Sequence, residues 1–190
     1  MTDGTQFHAD ENRLIGFYSG VISDNRGRRL ADIQSWGFDA LERTHDYIQW
    51  LFPLLTHSPV NPSAPVLDSE VIEAFRSRQD LRDALVRSLE TMLRFYGFRL
   101  DGSCDEPDVR RSEQFEARAA NWMTPGNHNH LRITRILACL RTLGLSRHSK
   151  AFFRALQEVY AGETQAKSRA ISEESFAFWK SAAGAGKPER

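Results

Sequence analysis

Cysteines, glycine-rich loops and long hydrophobic runs are scarce or absent in this chain of 190 residues. Its two cysteines, Cys104 and Cys139, have neither CxxC nor Cys/His spacing, so we expect a reducing compartment and no disulfide between them. No apolar run approaches the roughly 18 to 20 residues that span a bilayer, and the first residues lack an apolar signal core. These absences predict a soluble, cytoplasmic chain without a transmembrane segment.

An excess of charge of one sign is also missing, because Lys plus Arg and Asp plus Glu both number 25. A net charge of zero gives no global field that would attract nucleic acid, so nucleic acid is not expected as a partner. Neither a GxSxG elbow nor a glycine-rich phosphate loop occurs. We therefore predict no catalytic residues and favour a non-enzymatic protein over an enzyme.

The composition, 41% hydrophobic and 26% charged, is that of one globular domain with a substantial core. Apolar residues recur mainly at three- and four-residue steps, and no segment alternates as a strand does. The sequence predicts an all-α fold, a single compact domain of about six to eight helices. We expect residues 14–182 to form it, with flexible segments at 1–13 and 183–190.

Helix boundaries follow from capping and breaking residues. A helical pattern begins near Leu30, and Gly37 is expected to separate a short helix from a longer one that stops at Pro53. Residues 100–108 are predicted as a loop and 109–122 as a surface helix. A later helix should run from about 129 to 143. Further helices are predicted to start at Asp68, Asp80 and Ser172, and further helix ends are predicted at Gly97 and Gly144.

A polar stripe follows the helix predicted to stop at Pro53. Its members, at i, i+3, i+4 and i+7, are Glu42, His45, Asp46 and Gln49. The other faces carry apolar residues that include Leu41, Ile48 and Trp50. A helix that is apolar on most of its circumference is buried, so its polar groups need partners.

The helix at 129–143 carries a stripe of the opposite charge, formed by His128, Arg132 and Arg135. Burying a charge costs several kcal/mol unless it is paired, so one interpretation is that Glu42 or Asp46 pairs with an arginine between two buried central helices. A second interpretation is that the same stripes line a small polar cavity that holds a ligand.

Metal and cofactor chemistry are alternatives for these residues. An enzyme or cofactor-binding protein could use the cluster His45, Asp46, His128 and Arg132 for acid-base work. For a metal, only Glu42 and His45 form an i, i+3 ligand pair, and it occurs once. No metal ligands and no cofactor are therefore predicted.

Several motifs resemble a known family in order and spacing. They are FYSG at 17–20, LERTHDYIQW at 41–50, HDYIQWLFPL at 45–54, NPSAPVL at 61–67, MLRFYGFRL at 92–100 and HNHLRITRILACLRTLGL at 128–145. Together they resemble the conserved N-terminal domain of the opioid growth factor receptor, over about residues 14–160. The likeness is to a stand-alone, repeat-free form, as found in bacteria and fungi.

The resemblance implies a helical binding domain rather than a known chemistry. The animal member of the family is a receptor for Met-enkephalin, associated with the nucleus and its surrounding membranes, and the family brings no established catalytic residues. The implied partner is a peptide, a protein or a small polar ligand, and a regulatory protein-interaction module is the other non-enzymatic alternative. The candidate ligand-binding residues are Glu42, His45, Asp46, Gln49, Trp50, His128, Asn129, Arg132 and Arg135.

Overall fold

A computed structural model describes residues 12–163 and 169–185. The segments predicted to be flexible, 1–13 and 183–190, lie largely outside these residues. The described helices are α1 (Arg13–Tyr18), α2 (Leu30–Gln34), α3 (Phe38–Arg43), α4 (Ile48–Leu51), α5 (Ser69–Ser77), α6 (Gln79–Tyr96), α7 (Phe115–Ala119), α8 (Asn129–Thr142), α9 (Ser146–Gly162) and α10 (Glu173–Ala183). Two strands, β1 (Phe98–Gly102) and β2 (Pro107–Arg111), lie between α6 and α7.

The predicted class is confirmed, because the described chain is a mostly helical single domain with one small sheet. Its longest helix, α6, presents Leu81, Leu85, Leu89 and Met92 on one face, and all four are fully buried. Each such side chain stabilises the fold by roughly 1.5 to 3 kcal/mol relative to full exposure. The helix ends at Gly97 with φ 90°, the left-handed stop that the sequence predicts.

The hairpin of β1 and β2 corrects the prediction that no strand is present and that residues 100–108 form a loop. Its two strands are antiparallel, with Leu100 opposite Val109. Charged residues on one face alternate with apolar residues on the other, but each strand has only five residues, too few to stand out against helical periodicity. The N-terminal part of the predicted surface helix at 109–122 therefore lies in β2, and α7 forms later.

The region between α3 and α4 corrects a second prediction. One continuous helix up to Pro53 is wrong, because Thr44 is extended, with φ −95° and ψ 132°, and α4 begins only at Ile48. The predicted stop itself is confirmed, since α4 ends at Leu51 and Phe52 leaves the helical region. The polar stripe drawn on a continuous helix is thus split between two short helices and a bend.

The C-terminal helices pack against one another around α8. The last of them, α10, is capped by Ser172, as the sequence predicts. The Ser172 side chain accepts a hydrogen bond from the Ser175 N–H. The indole N–H of Trp179 then donates to the His130 carbonyl of α8 at 2.9 Å. This buried bond ties α10 to the helix that carries the second polar stripe.

Two absences can be stated for the described residues. Cys104 and Cys139 are both free, the first exposed and the second buried, so the prediction of no disulfide is confirmed. In the same part of the chain, no helix combines the length and the hydropathy needed to cross a bilayer.

Candidate functional site

Arg132 of α8 closes the end of α3. Its guanidinium donates to the carbonyl of Leu41 at 3.0 Å, to that of Thr44 at 2.9 Å and, more weakly, to that of Glu42 at 3.4 Å. The last carbonyls of a helix have no partner within the helix and carry partial negative charge. A buried guanidinium can satisfy them because it offers five donors in a planar fork.

Arg135, one turn further along α8, binds the end of α4 in the same way. Its Nη1 donates to the carbonyl of Phe52 at 3.1 Å, just after α4. Burial lowers the pKa of the Arg135 guanidinium from its ordinary value, but arginine stays charged in proteins. The positive stripe of α8 therefore holds the bend of α3 and α4 mainly through backbone carbonyls.

The outer part of the cluster consists of Glu42, His45 and His128, which we call the polar rim. His128 Nε2 lies 3.5 Å from one Glu42 oxygen. The other oxygen accepts a 3.2 Å hydrogen bond from the Asn129 amide and lies 4.0 Å from Arg132 Nη1. The two histidine rings meet edge to face with centroids 5.2 Å apart. The His128–Glu42 contact is thus a long one at the protein surface.

Arg132 also interacts with the histidines of the polar rim. His45 Nδ1 lies 3.1 Å from Arg132 Nη2, and because arginine only donates, Nδ1 accepts in this contact. Burial, followed by the Arg132 charge, lowers the pKa of His128, although Glu42 raises it in part. The rim therefore combines one carboxylate with two imidazole rings.

Asp46 does not join the cluster, and its predicted pairing with Arg132 or Arg135 is wrong. Its carboxylate lies 2.8 Å from Arg28 Nη1 and 3.1 Å from Arg26 Nε. Burial raises the pKa of Asp46, but hydrogen bonds and charges from these two arginines outweigh it and hold the pKa below its ordinary value. The bend at Thr44 turns this side chain away from α8.

Gln49 and Trp50 point into the core. Trp50 is fully buried, with the Arg13 guanidinium 5.1 Å from its ring centroid. Gln49 is 95% buried, and its amide nitrogen lies 3.5 Å from Ser58 Oγ. Neither side chain reaches the polar rim, so a ligand could touch them only after the core had opened.

The predicted residues therefore separate into groups. Those that the structure brings together are Glu42, His45, His128, Asn129 and Arg132. Arg135 binds the adjacent helix end, whereas Asp46, Gln49 and Trp50 lie elsewhere. Within the described residues, no three His, Cys, Asp or Glu side chains are arranged to hold a metal ion.

Sequence reasoning missed the partners of Arg132 and of Asp46. The partners of Arg132 are mostly backbone carbonyls, which leave no signature in a sequence. Arg28, the partner of Asp46, stands in a turn-rich segment with no helical periodicity to place it. The one available signal was the basic run at 26–29, which required an acidic partner somewhere in the fold.

The fold and the cluster define a helical domain in which α8 meets the ends of α3 and α4 at one joint. Over residues 12–183 the chain matches the conserved region of the opioid growth factor receptor, and it belongs to that family. It is 40% identical to the opioid growth factor receptor of Rattus norvegicus over 148 residues, which are 76% of this chain and 25% of that protein.

Other relatives give the same picture. The opioid growth factor receptor of Homo sapiens is 44% identical over 115 residues, 60% of this chain and 16% of that protein. Opioid growth factor receptor-like protein 1 of Xenopus tropicalis is 36% identical over 107 residues, 56% of this chain and 20% of that protein. The chain thus spans about a quarter or less of these relatives. No solved structure matches it.

Proposed function

We propose that this chain is a non-enzymatic binding domain that holds a peptide or small polar ligand at the polar rim. One observation carries the proposal: the donors beneath the rim are used by the fold, whereas the contact between His128 and Glu42 at the rim is long. Arg132 and Asn129 bind helix-end carbonyls and Glu42, but the closest His128–Glu42 distance is 3.5 Å. A ligand can replace such long contacts at little cost to stability.

The rim suits a ligand with a cationic end. Glu42 is its carboxylate and its side chain is 36% exposed, while His45 and His128 add imidazole ring surfaces. A peptide offers such an end in its α-amino group. The relatives named opioid growth factor receptor support a peptide ligand, because their name assigns them a growth factor.

Calorimetric titration of the purified chain with Met-enkephalin tests the proposal. We expect saturable binding that falls about tenfold or more in Glu42→Gln, since the substitution removes the charge and keeps the shape. Amino-terminal acetylation of the peptide should weaken binding to the same extent. Asp39→Asn is the matched control: Asp39 lies on the same helix, its side chain is 91% exposed, and its loss should leave affinity unchanged.

Two outcomes would count against the rim. Binding that is equal in Glu42→Gln and in the unaltered chain would place the ligand elsewhere, and absence of binding would show that this peptide is not the ligand. In the second case, native mass spectrometry of freshly purified protein would search for a small polar ligand instead. The cytoplasmic location predicted from the sequence stays a prediction, which imaging of a fluorescent fusion would check.

The enzyme alternative is weakened by one geometric fact. Acid-base work by His45, Asp46, His128 and Arg132 needs the carboxylate beside a histidine. Asp46 instead lies against Arg28 and Arg26, so the predicted group of four does not form. The carboxylate beside a histidine is Glu42, 3.5 Å from His128 Nε2, and its other oxygen is already bound by Asn129. The geometry therefore disfavours acid-base work by the group that includes Asp46.

A further inference from the structure

The first turn of α9 leaves three backbone donors without an acceptor in the described structure. The residue at the N-cap position is Leu145, whose apolar side chain cannot accept a hydrogen bond. That turn has no acidic side chain, and the Ser146 hydroxyl contacts the Arg141 carbonyl at 3.5 Å instead. The N–H groups of residues 146–148 consequently find no partner among the described residues. They carry the partial positive charge of a helix start.

The start of α9 lies at a cleft of about 540 Å³. The other walls of the cleft come from α6 and from the loop that joins β1 to β2. Val86 and Leu145 make part of the lining apolar. Clefts of roughly 300 to 1,000 Å³ are typical of small-molecule sites, which combine apolar walls with a few polar groups. The size and lining of this cleft therefore suit a small molecule.

His148 lines the same cleft and has no polar partner among the described residues. Only 4% of the residue is exposed, yet neither ring nitrogen forms a hydrogen bond there. Both nitrogens keep a small accessible surface, because neither is one of the fully enclosed side-chain atoms that lack a partner. Burial alone lowers the pKa of His148, as expected for a ring without a charged neighbour. A buried polar group in this state needs a partner from outside the chain.

The charges that line the cleft balance, but one carboxylate has no cationic partner. Arg82 donates to two carbonyls in the last turn of α5, at 2.8 and 2.5 Å. Arg147 Nη1 lies 3.4 Å from an Asp105 carboxylate oxygen. Asp83 accepts a hydrogen bond from a neutral amide at 2.7 Å and forms no ion pair with any described residue. The cleft thus combines free donors at the start of α9 with a free carboxylate on α6.

We infer that this cleft binds a small zwitterion, a free amino acid or a dipeptide. Its carboxylate accepts hydrogen bonds from the first N–H groups of α9 and from His148, and its ammonium group pairs with Asp83. An apolar side chain packs against Val86 and Leu145. An anion without a cationic group is a poorer occupant, because Asp83 and Asp105 also line the cleft. A cation without a carboxylate leaves the helix donors and His148 unsatisfied.

The inference does not rest on the function proposed above, because no residue of the polar rim lines this cleft. Glu42→Gln should therefore bind a zwitterion here as the unaltered chain does. If Met-enkephalin fails to bind at the rim, the zwitterion site is unaffected. Equally, loss of the zwitterion site would leave the rim untouched.

Calorimetric titration with leucine and with glycyl-leucine tests the ligand class, since the two zwitterions differ in the distance between their charges. We expect saturable binding of at least one of them. N-acetylation removes the cation and carboxyl-terminal amidation removes the anion, so each should weaken binding about tenfold or more. Failure of both zwitterions to bind, or unchanged affinity for either blocked form, would overturn the inference.

The cationic end of the ligand is tested at Asp83. Asp83→Asn keeps the shape of this exposed side chain and should weaken binding about tenfold, because it removes the charge that faces the ammonium group. Glu90→Gln is the matched control, since Glu90 is exposed on the same helix and lies outside the lining of this cleft. Equal losses in the two variants would contradict a role for Asp83.

The anionic end is tested at the first residue of α9. Ser146→Asp places a carboxylate where the ligand carboxylate binds, so affinity should fall about tenfold while the helix start is stabilised or unchanged. Ser146→Asn is the neutral control of the same size and should keep the affinity. Thermal melting of both variants separates loss of binding from loss of fold. Equal affinities for Ser146→Asp and Ser146→Asn would contradict binding at the start of α9.

The position of the ligand is tested by nuclear magnetic resonance of the histidine rings. The ring signals of His148 should shift when the zwitterion is added, whereas those of His57, which is exposed and does not line the cleft, should not. Saturable binding without a shift at His148 would place the ligand elsewhere, and the inference would fall.

Discussion

Arginines do opposite things in two regions of this molecule. At the joint of α3, α4 and α8, the buried Arg132 binds three backbone carbonyls that close a helix end. On the surface of α6, Arg87 and Arg94 are exposed and form no ion pair with a described residue. Arg132 is therefore part of the fold, whereas Arg87 and Arg94 should add little to stability.

The largest expected effect is at Arg132. Arg132→Ala should lower the free energy of unfolding by about 2 to 4 kcal/mol, because buried carbonyls of Leu41 and Thr44 lose their donors. Urea titration followed by circular dichroism measures this change. Leu131→Ala is the control, since Leu131 is 72% exposed on the same helix. Similar midpoints for both variants would show that Arg132 does not hold the joint.

The hairpin of β1 and β2 should show the next largest effect on stability. Gly102 has φ +84°, and a Cβ added there would lie 2.2 Å from the Glu106 carbonyl oxygen. Gly102→Ala should therefore cost about 1 to 3 kcal/mol in the same urea titration.

A matched position separates backbone strain from this close approach. Gly126 has φ +69° with nothing within 4 Å of its added Cβ, so Gly126→Ala should cost only about 1 kcal/mol. Equal losses at Gly102 and Gly126 would mean that the tight turn of the hairpin contributes nothing beyond its left-handed backbone.

A smaller effect depends on pH. Burial lowers the pKa of His130 and His148, and burial with the Arg132 charge lowers that of His128, all from an ordinary value of 6.5. Below that pH the unfolded chain binds more protons than the folded chain, so the free energy of unfolding should fall as pH drops through 6.5. Urea titrations above and below this pH should show it.

His148 allows this pH dependence to be traced to one residue. Its pKa is lowered by burial alone, and it lies at the start of α9, away from the polar rim. His148→Gln should therefore reduce the slope of stability against pH. An unchanged slope would assign the dependence to the remaining histidines.

The smallest expected effect is at Arg87 and Arg94 on the surface of α6. Arg87→Gln and Arg94→Gln should each change the free energy of unfolding by less than about 0.5 kcal/mol, since these exposed side chains have no charged partner in the described structure. Thermal melting of each variant measures it. A loss of the size expected for Arg132→Ala would erase the contrast between the two regions.

Much of the fold could be predicted from sequence because its signals are local. Spacing predicted the buried face of α6, Pro53 predicted the end of α4, Gly97 and Ser172 predicted a helix end and a helix start, and the predicted helix near 129–143 is α8. The hairpin was missed because its strands are short. For the candidate site, the sequence left open whether Glu42 or Asp46 pairs with Arg132 or Arg135, and the structure places a Glu42 oxygen 4.0 Å from Arg132 Nη1.

The amino-acid sequence by itself determined the helical class and the family motifs, because helix periodicity, caps and breakers act over a few residues. Only the tertiary structure decided which charges meet. The bend at Thr44 sends Asp46 to Arg28 and leaves Glu42 at the polar rim, and helix-end carbonyls take the donors of Arg132. Backbone carbonyls and strand edges are the same in every residue, so their partners are fixed by packing in three dimensions.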